Sequence, residues 1–476
     1  MSDQIYDPRS SFLPVAAALW LLGFVFSLMP LAAYEAESFL LSVLCVGFAS
    51  LFTLAAALVS AIKAVFVKPV VWVALGFWAL ALLSVFLSEI PFVSFIYFCF
   101  FSVFPLSFFM LVFQGGYEHA LRFLAAGLAI IFSALGVSCL VQYFAFPEML
   151  FRGFVSWPLA NPNGLAALLS LAFFASIGWM IGAPNRRQSN LALALSALLA
   201  VSIFVTGSRG ALVALLMMLG VFLFFVRAQA AQHKRCLFAL MLLSLLSFAL
   251  VSLFAPITSI YSPAELISRS VTGAQPLLWS RPEIWASTWE IIQNNFWTGT
   301  GIGTFFLYYP EVRSIGDPST AGLMAHSDPL QFWAEMGILS LVLFYVFIAL
   351  CVLRTRAAFK KLDQKDTRRV TILVPFFAIA AMTIHAHVSF PFHILPTLLM
   401  AGFLLGVWFV QTQNVLDGEV KADNIPHENI FLRWALALPV VALLGVFSLF
   451  QASEILVTRG HNHMMSGNMD AFVQET

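Results

Sequence analysis

Four polar residues at the start of an apolar segment could perform acid–base chemistry. The segment AHSDPLQFWAEMG contains His326, Asp328, Gln331 and Glu335. Imidazole ionises near neutral pH, so His326 could accept a proton and release it again. A helix that begins near Ser327 would place Asp328, Gln331 and Glu335 on one face, at i, i+3 and i+7. Asp328 could cap this helix or orient the histidine, and a structural histidine bonded to a carbonyl remains an alternative.

Arg209 lies between two apolar runs, in TGSRGALVALL, with Gly207 before it and Gly210 after it. The glycines permit a tight turn and bring a helix N-terminus close to a ligand. We predict that the second helix starts near Ser208, which makes Ser208 a candidate ligand contact. A cation in the first turn opposes the helix dipole, and an anionic ligand would remove that conflict. The alternative is an arginine that reaches to the membrane interface.

Arg281 lies in a polar stretch with the sequence RPEIWASTWEIIQNNFWTGTGIGTF. Proline is favoured in the first turn of a helix, so a helix is predicted to open at Pro282. Trp285, Trp289 and Ile292 would share one face of an amphipathic helix on the membrane surface. The glycine-rich GTGIGTF lacks the strand that precedes a dinucleotide-binding loop, and we interpret it as a tight turn. Arg281 could bind an anion or could only anchor the helix at the interface.

Two further segments carry polar groups that could face the same side. FRGFVSWPLANPNGLAALL contains Asn161 and Asn163, and Asn163 is the predicted N-cap of the next helix. HAHVSFPFHILP contains His385, His387 and His393. Three histidines suggest a metal site, but no helical ligand spacing continues across the proline between them, so we predict no metal and favour His385 as a cavity-lining residue.

The amino-acid composition indicates that these groups belong to a membrane protein. Hydrophobic residues make up 61% of the 476 residues, charged residues only 10%, and the mean hydropathy is +0.93. A helix needs about 20 apolar residues to cross the hydrocarbon core. We therefore predict an all-α polytopic membrane protein with 12 or 13 transmembrane helices. The predicted spans are 13–33, 39–62, 69–88, 92–113, 119–146, 163–182, 190–206, 210–228, 236–256, 329–353, 370–388, 394–413 and 431–452.

The distribution of Lys and Arg predicts the orientation. With the N-terminus in the cytoplasm, the inner loops hold eighteen of the 24 basic residues. The first span is predicted to be a retained helix rather than a cleaved signal peptide. The chain then divides into an N-terminal bundle (1–256), a long periplasmic loop with amphipathic helices (257–328), C-terminal spans (329–452) and a periplasmic tail (453–476). The five scattered cysteines indicate no disulfide framework, and a net charge of +1 argues against a nucleic-acid partner.

Two arginines, a histidine and several amides are thus predicted to meet at the outer face. Guanidinium groups bind phosphate through two parallel hydrogen bonds. They could stabilise the charge that builds up on a departing diphosphate, while the histidine activates a hydroxyl group. This combination suits group transfer from a diphosphate-linked lipid at the membrane surface.

The same motifs, TGSRGALVALL, RPEIW…GTGIGTF and AHSDPLQFWAEMGILSLVLF, resemble the O-antigen ligase superfamily. This group comprises O-antigen ligases, Wzy-type O-antigen polymerases and bacterial O-linked oligosaccharyltransferases. The NPN element is also similar, and the resemblance covers roughly residues 155–390. The chain departs from the usual pattern in the Ser-Asp-Pro that follows His326 and in a thirteenth span with an outward tail.

The resemblance implies a metal-independent, inverting glycosyltransferase of the bacterial inner membrane with a GT-C-like fold and no cofactor. Its donor would be an undecaprenyl-diphosphate-linked glycan, with Arg209 and Arg281 on the diphosphate and His326 as base. The expected acceptor is lipid A-core, and a protein hydroxyl or a glycan repeat is the alternative. A lipid-linked oligosaccharide flippase is a further alternative, but it should carry basic groups along a cavity in mid-membrane. A non-catalytic scaffold would leave His326 unexplained.

Overall fold

The computed structural model describes most of the chain between Phe12 and Asp417, with only a few residues between 256 and 280, and several short pieces between 437 and 449. The described residues are 12–29, 36–56, 65–113, 118–151, 153–255, 265, 268–269, 271–272, 281–315, 317, 322–417, 437–438, 440–442, 444–446 and 448–449. Arg152, most of the loop from 257 to 280, most of the predicted span 431–452 and the tail from 453 lie outside the described residues.

The described part of the chain is built from α-helices, and no strand is formed within it beyond one isolated bridge between Phe151 and Phe154. Proline opens several helices at their first turn, where its missing N–H costs nothing. The helices are α1 (Phe12–Leu28), α2 (Ala36–Ala56), α3 (Pro69–Leu87), α4 (Pro91–Phe113), α5 (Glu118–Ala145), α6 (Pro162–Gly182), α7 (Arg186–Val205), α8 (Arg209–Phe225), α9 (Lys234–Leu253), α10 (Arg281–Asn294), α11 (Phe305–Val312), α12 (Asp328–Met336), α13 (Ile338–Lys360), α14 (Arg368–Ala386) and α15 (Leu395–Asp417).

The apolar helices confirm an all-α polytopic membrane protein. Among the described residues, nine helices are long and apolar enough to cross a bilayer, and three shorter apolar helices coincide with the predicted first, second and eighth spans. These twelve helices match the first twelve predicted spans in order. The thirteenth prediction falls mostly outside the described residues and stays a prediction.

The centre of the bundle is formed by α6 and α15. In each of them 83% of the most apolar 18-residue stretch is buried inside the protein, against 28% in α3 and 22% in α13. The two central helices therefore carry a nearly all-round apolar surface into the core, as expected of a helix enclosed by other helices. The peripheral helices α3 and α13 turn most of their surface toward lipid.

The predicted span 329–353 is wrong at its start, because the helix is interrupted at Gly337. Residues 328–336 form the separate helix α12, and α13 begins only at Ile338. Gly337 has φ +77°, and a Cβ there would overlap the carbonyl oxygen of Trp297. Hydropathy alone could not reveal this break, since both helices are apolar on either side of a single glycine.

The polar segment before α12 packs on that helix through a small core of its own. Ile284, Ile291 and Ile292 of α10 are buried together with Phe305 and Ala334. The predicted face of Trp285, Trp289 and Ile292 is therefore split: Ile292 points into this core, whereas Trp289 remains 44% exposed and meets the ring of Trp333 edge-on. That α10 lies on a membrane surface stays a prediction.

The two ends of the bundle differ in their charged groups. At one end Lys68 pairs with Asp417 at 2.7 Å, and Lys361 donates to the carbonyl oxygen of Leu416. Arg354 at the same end hydrogen-bonds Thr412 and Gln413. At the opposite end lie the first turns of α6, α8 and α10 and the loop before α12. This separation is what the predicted topology requires, and the assignment of the two ends to cytoplasm and periplasm stays a prediction.

Candidate active site

Three segments that are far apart in sequence bring Arg209, Arg281 and His326 together. Arg209 is the first residue of α8, Arg281 is the first residue of α10, and His326 lies in the loop before α12. Arg281 is coupled by charge to both other groups, because its charge lowers the pKa of His326 and the charge of Arg209 lowers the pKa of Arg281. The residues singled out from the sequence thus form one electrostatically coupled cluster.

His326 is held as a neutral base. Withdrawal of the ring from water and the nearby charge of Arg281 together lower its pKa to about 4, with Asp317 acting in the opposite sense. The ring meets Phe390 edge-on, with centroids 5.0 Å apart. Its Nδ1 is buried, and among the described residues none hydrogen-bonds to it. At neutral pH this imidazole is therefore ready to accept a proton.

The backbone at His326 adopts a left-handed conformation, with φ +54°. For a residue other than glycine this conformation costs about 1–3 kcal/mol, and it persists only where the surroundings enforce it. Here the flanking residues are fixed on both sides. The amide of Ala325 donates to the side chain of Gln331, and the amide of Asp328 donates to the carbonyl oxygen of Ser389.

Arg281 remains a cation although much of it is buried. Burial lowers its pKa to about 10, and the neighbouring charge of Arg209 contributes to the same shift. Two adjacent guanidinium groups repel each other, and an anion between them would relieve that repulsion. The pair is therefore suited to a ligand with at least one phosphate group.

The start of α8 is joined to the start of α6. Gly207 has φ +63°, and the Ser208 side chain makes no cap hydrogen bond to its own helix. Its hydroxyl instead donates to Asn163 Oδ1 at 2.7 Å. The prediction that Asn163 caps α6 is wrong, because Asn161 accepts from the amides of Asn163 and Gly164. With its own backbone amide capped by Asn161, the Asn163 side chain is available to link the two helices.

Asp328 orients a histidine, but the histidine is His393. Its carboxylate lies 2.5 Å from His393 Nδ1 and accepts the amide of Phe392 at 2.9 Å. Both side chains are fully buried. Burial opposes the charged imidazolium, yet the hydrogen bond and charge of Asp328 outweigh it and raise the pKa of His393. This pair joins the turn that carries Phe390 to the loop that carries His326. The two residues are 65 positions apart, and no local pattern predicts their contact.

Gln331 and Glu335 tie the loop of His326 to the glycine-rich turn. Gln331 Nε2 donates to Glu335 Oε1 at 3.1 Å. Glu335 is buried, and its two oxygens accept the amides of Gly303 at 2.8 Å and Phe305 at 3.2 Å. The GTGIGTF segment is thus a turn with left-handed glycines whose amides bind the carboxylate of Glu335. The predicted substrate contacts of Asp328, Gln331 and Glu335 stay predictions, since all three face protein groups here.

The three histidines near α14 have three different environments. His387 contacts Tyr345 and the carbonyl oxygen of Thr383, while His393 pairs with Asp328. His385 is buried, and no described residue hydrogen-bonds either of its ring nitrogens. Its ring fills the space beside Gly210, where a Cβ would lie 3.4 Å from Nε2. His385 therefore lies against the first turn of α8, next to Arg209. The described residues contain no group of His, Cys, Asp or Glu placed to hold a metal ion.

A comparison with protein families matches the segment of the chain that carries part of this site. Residues 194–345 match the family model described as O-Antigen ligase. This segment of the chain is similar to the O-antigen ligase family. The resemblance to the O-antigen ligase superfamily predicted from the sequence is thereby confirmed, and with it a membrane enzyme of the glycosyltransferase type. No curated protein matches the chain.

The matched segment covers about a third of the chain, from α7 into α13. It includes Arg209, Arg281 and His326, together with α12 and its carboxylates. Asn161, Asn163 and His385 lie outside the match but reach the same end of the bundle, because α6 and α14 pack against α8. The site is therefore assembled from the matched segment and from helices on both sides of it.

Proposed function

We propose that the protein is an O-antigen ligase that transfers a glycan from an undecaprenyl-diphosphate-linked donor to lipid A-core. The reaction would take place at the periplasmic face of the bacterial inner membrane. The observation that carries the proposal is the electrostatic coupling of two partly buried guanidinium groups to a neutral imidazole at one end of a membrane bundle. A phosphate-rich leaving group and a hydroxyl nucleophile are the two partners that this combination serves.

In this reaction His326 takes the proton of an acceptor hydroxyl. The freed oxygen attacks the anomeric carbon of the donor sugar, and the bond from that carbon to the diphosphate oxygen breaks. The electron pair leaves with the diphosphate, where Arg209 and Arg281 neutralise the added charge. A single displacement inverts the configuration at the anomeric carbon. Protein side chains supply both the base and the charge stabilisation in these steps, so the proposed transfer needs no metal.

The Ser208–Asn163 link and His385 would complete the donor site. They lie beside the first turn of α8, where an oxygen-rich ligand held by Arg209 must pass. His385, with no described hydrogen-bond partner, could donate to a phosphate oxygen without first breaking another bond. This role would make His385 a ligand of the leaving group rather than a second base.

Reconstitution tests the function directly. Purified protein in proteoliposomes receives the lipid-linked donor and lipid A-core, and product formation is followed on gels. We expect His326→Ala to abolish transfer while inserting normally, and Arg209→Lys, which keeps the charge but loses the planar fork, to be severely impaired. EDTA should leave transfer unchanged. Wild-type rates in His326→Ala would remove the catalytic assignment.

The same assay separates the alternatives. A serine- or threonine-containing protein acceptor and a second lipid-linked repeat test the oligosaccharyltransferase and polymerase reactions of the superfamily. A flippase would move the donor between leaflets without joining it to an acceptor. The cavity that the structure describes between the helices is apolar along its length, which disfavours passage of a hydrophilic glycan.

A further inference from the structure

A cavity of about 340 Å³ lies between α3, α4, α13, α14 and α15. Aromatic side chains dominate its walls, and no acidic, lysine or arginine side chain lines it. The indole N–H groups at its edge are already used, since Trp78 donates to Ser102 and Trp408 donates to Thr355. A cavity whose walls are almost entirely apolar disfavours water and selects hydrocarbon.

The cavity is elongated along the helices. On α15 its lining extends from Leu398 to Phe409, and on α3 from Val70 to Ala81. Eleven helical residues rise about 16 Å, which is roughly half the thickness of the hydrocarbon core. A slot of this length and direction fits one extended lipid chain.

The slot lies on the opposite face of α14 from the arginine cluster. Phe376, Ile379, Ala380 and Thr383 line it, at i, i+3, i+4 and i+7 of one helical face. His385 follows Phe376 by nine residues and therefore points roughly 180° away from it. The side of α14 that carries His385 is the one that packs against the start of α8, beside Arg209.

The outer end of the slot reaches the loop of His326 from this second side. Phe332 of α12 and Phe392 line that end, and the ring of Phe332 stacks on His393 with centroids 5.5 Å apart. Phe390, two residues before Phe392, contacts His326. A lipid whose chain occupied the slot would thus approach the site from the side of His326 and Phe390 rather than from the side of Arg209.

An inverting displacement has the same two-sided requirement. The nucleophile must approach the anomeric carbon from the face opposite to the leaving group. With the diphosphate on the Arg209 side of α14, the acceptor hydroxyl has to arrive from the other side. We propose that the slot binds an acyl chain of a lipid acceptor, which makes the acceptor a membrane lipid rather than a protein. The inference rests on the proposed function for the placement of the donor.

Filling the slot tests this assignment. Ala74 lines the slot, whereas Ala79 on the same helix is exposed and does not. Ala74→Trp should raise the KM for lipid A-core at least tenfold and leave the KM for the donor within twofold of wild type. With lipid-free core oligosaccharide as acceptor, the variant and the wild type should have the same kcat/KM. Ala79→Trp is the matched control and should behave as wild type.

Ala380→Trp fills the slot from α14 and provides a second variant if Ala74→Trp does not fold. An equal loss with lipid A-core and lipid-free core oligosaccharide in a folded variant would overturn the proposal, because the cavity would then only support the fold. A rise in donor KM would also overturn it, because the slot would then hold the donor chain.

Photocrosslinking examines the wild-type protein without any substitution. Lipid A-core with a diazirine in one acyl chain should label peptides of α3 and α14, and excess unlabelled lipid A-core should suppress the labelling. Suppression by undecaprenyl diphosphate, or equally by phosphatidylethanolamine, would contradict an acceptor site. If the proposed function itself fails, the wild type transfers to no acceptor, whereas failure of this inference alone leaves transfer intact and the slot unlabelled.

Discussion

Glu335→Gln should loosen the glycine-rich turn although it changes only one atom of the side chain. The carboxylate accepts three N–H groups, from Gly303, Phe305 and Gln331, and is buried. A glutamine oxygen can keep two of these bonds. Its amide nitrogen must then face the N–H group of Gly303, and both donors are left without an acceptor.

The magnitude follows from these contacts. Losing one hydrogen bond to a charged group costs about 1.5–3 kcal/mol, and a buried donor left unsatisfied costs about 1–3 kcal/mol. Burial raises the pKa of Glu335, so removing the charge recovers part of this cost. A net loss of about 3 kcal/mol remains, which corresponds to roughly a 150-fold larger open fraction of the turn.

Hydrogen exchange measures that fraction directly. In the Glu335→Gln variant the amides of Gly303 and Phe305 should exchange about 100-fold faster than in the wild type. The amide of Ala325 should follow, because Gln331 connects it to Glu335. Exchange within threefold of wild type would refute the view that this carboxylate holds the turn.

The exposed Glu290 of α10 is the matched control for the same chemical change. Glu290→Gln should leave both the exchange rates and the thermal unfolding temperature unchanged. Transfer activity should fall in Glu335→Gln and not in Glu290→Gln, since only the former reaches the loop of His326.

Three further predictions concern pH, a glycine and the buried pair. Because the pKa of the free-enzyme His326 is about 4, kcat/KM should stay level from neutral pH down to about 5 and decline only as protonation removes the base, whereas a decline near pH 6.5 would indicate an ordinary imidazole. Gly337→Ala should destabilise the protein by about 3 kcal/mol or more in thermal unfolding, because a positive φ strains alanine and its Cβ would overlap the carbonyl oxygen of Trp297, while Gly220→Ala, with open space around its Cβ position, should be neutral or slightly stabilising. Asp328→Ala leaves His393 buried without its charge partner and should cost about 3–5 kcal/mol, so an unchanged unfolding temperature would show that the pair contributes nothing.

Local sequence was sufficient to locate twelve apolar helices and to single out the candidate site residues. Long apolar runs determine the spans, and Ser327 does precede a helix that begins at Asp328. Arg209 and Arg281 each open a helix, as the surrounding glycines and proline predict.

Long-range partners could not be predicted in the same way. The pairing of Asp328 with His393 joins segments 65 residues apart, and no periodicity records it. The binding of the Glu335 carboxylate to the glycine-rich turn has the same character. The break at Gly337 depends on the carbonyl of Trp297 from another segment, which hydropathy does not report.

The helix interruption at Gly337 also separates the membrane-spanning helix α13 from α12, which carries site residues. α13 is largely lipid-facing, and a bilayer that is thicker or thinner than its apolar length makes such a helix tilt. If α12 and α13 formed one continuous helix, that tilt would displace the carboxylates of α12 and the neighbouring His326. Because the helix is interrupted at Gly337, α13 can tilt with the bilayer without tilting α12, which is hydrogen-bonded to the turns around it.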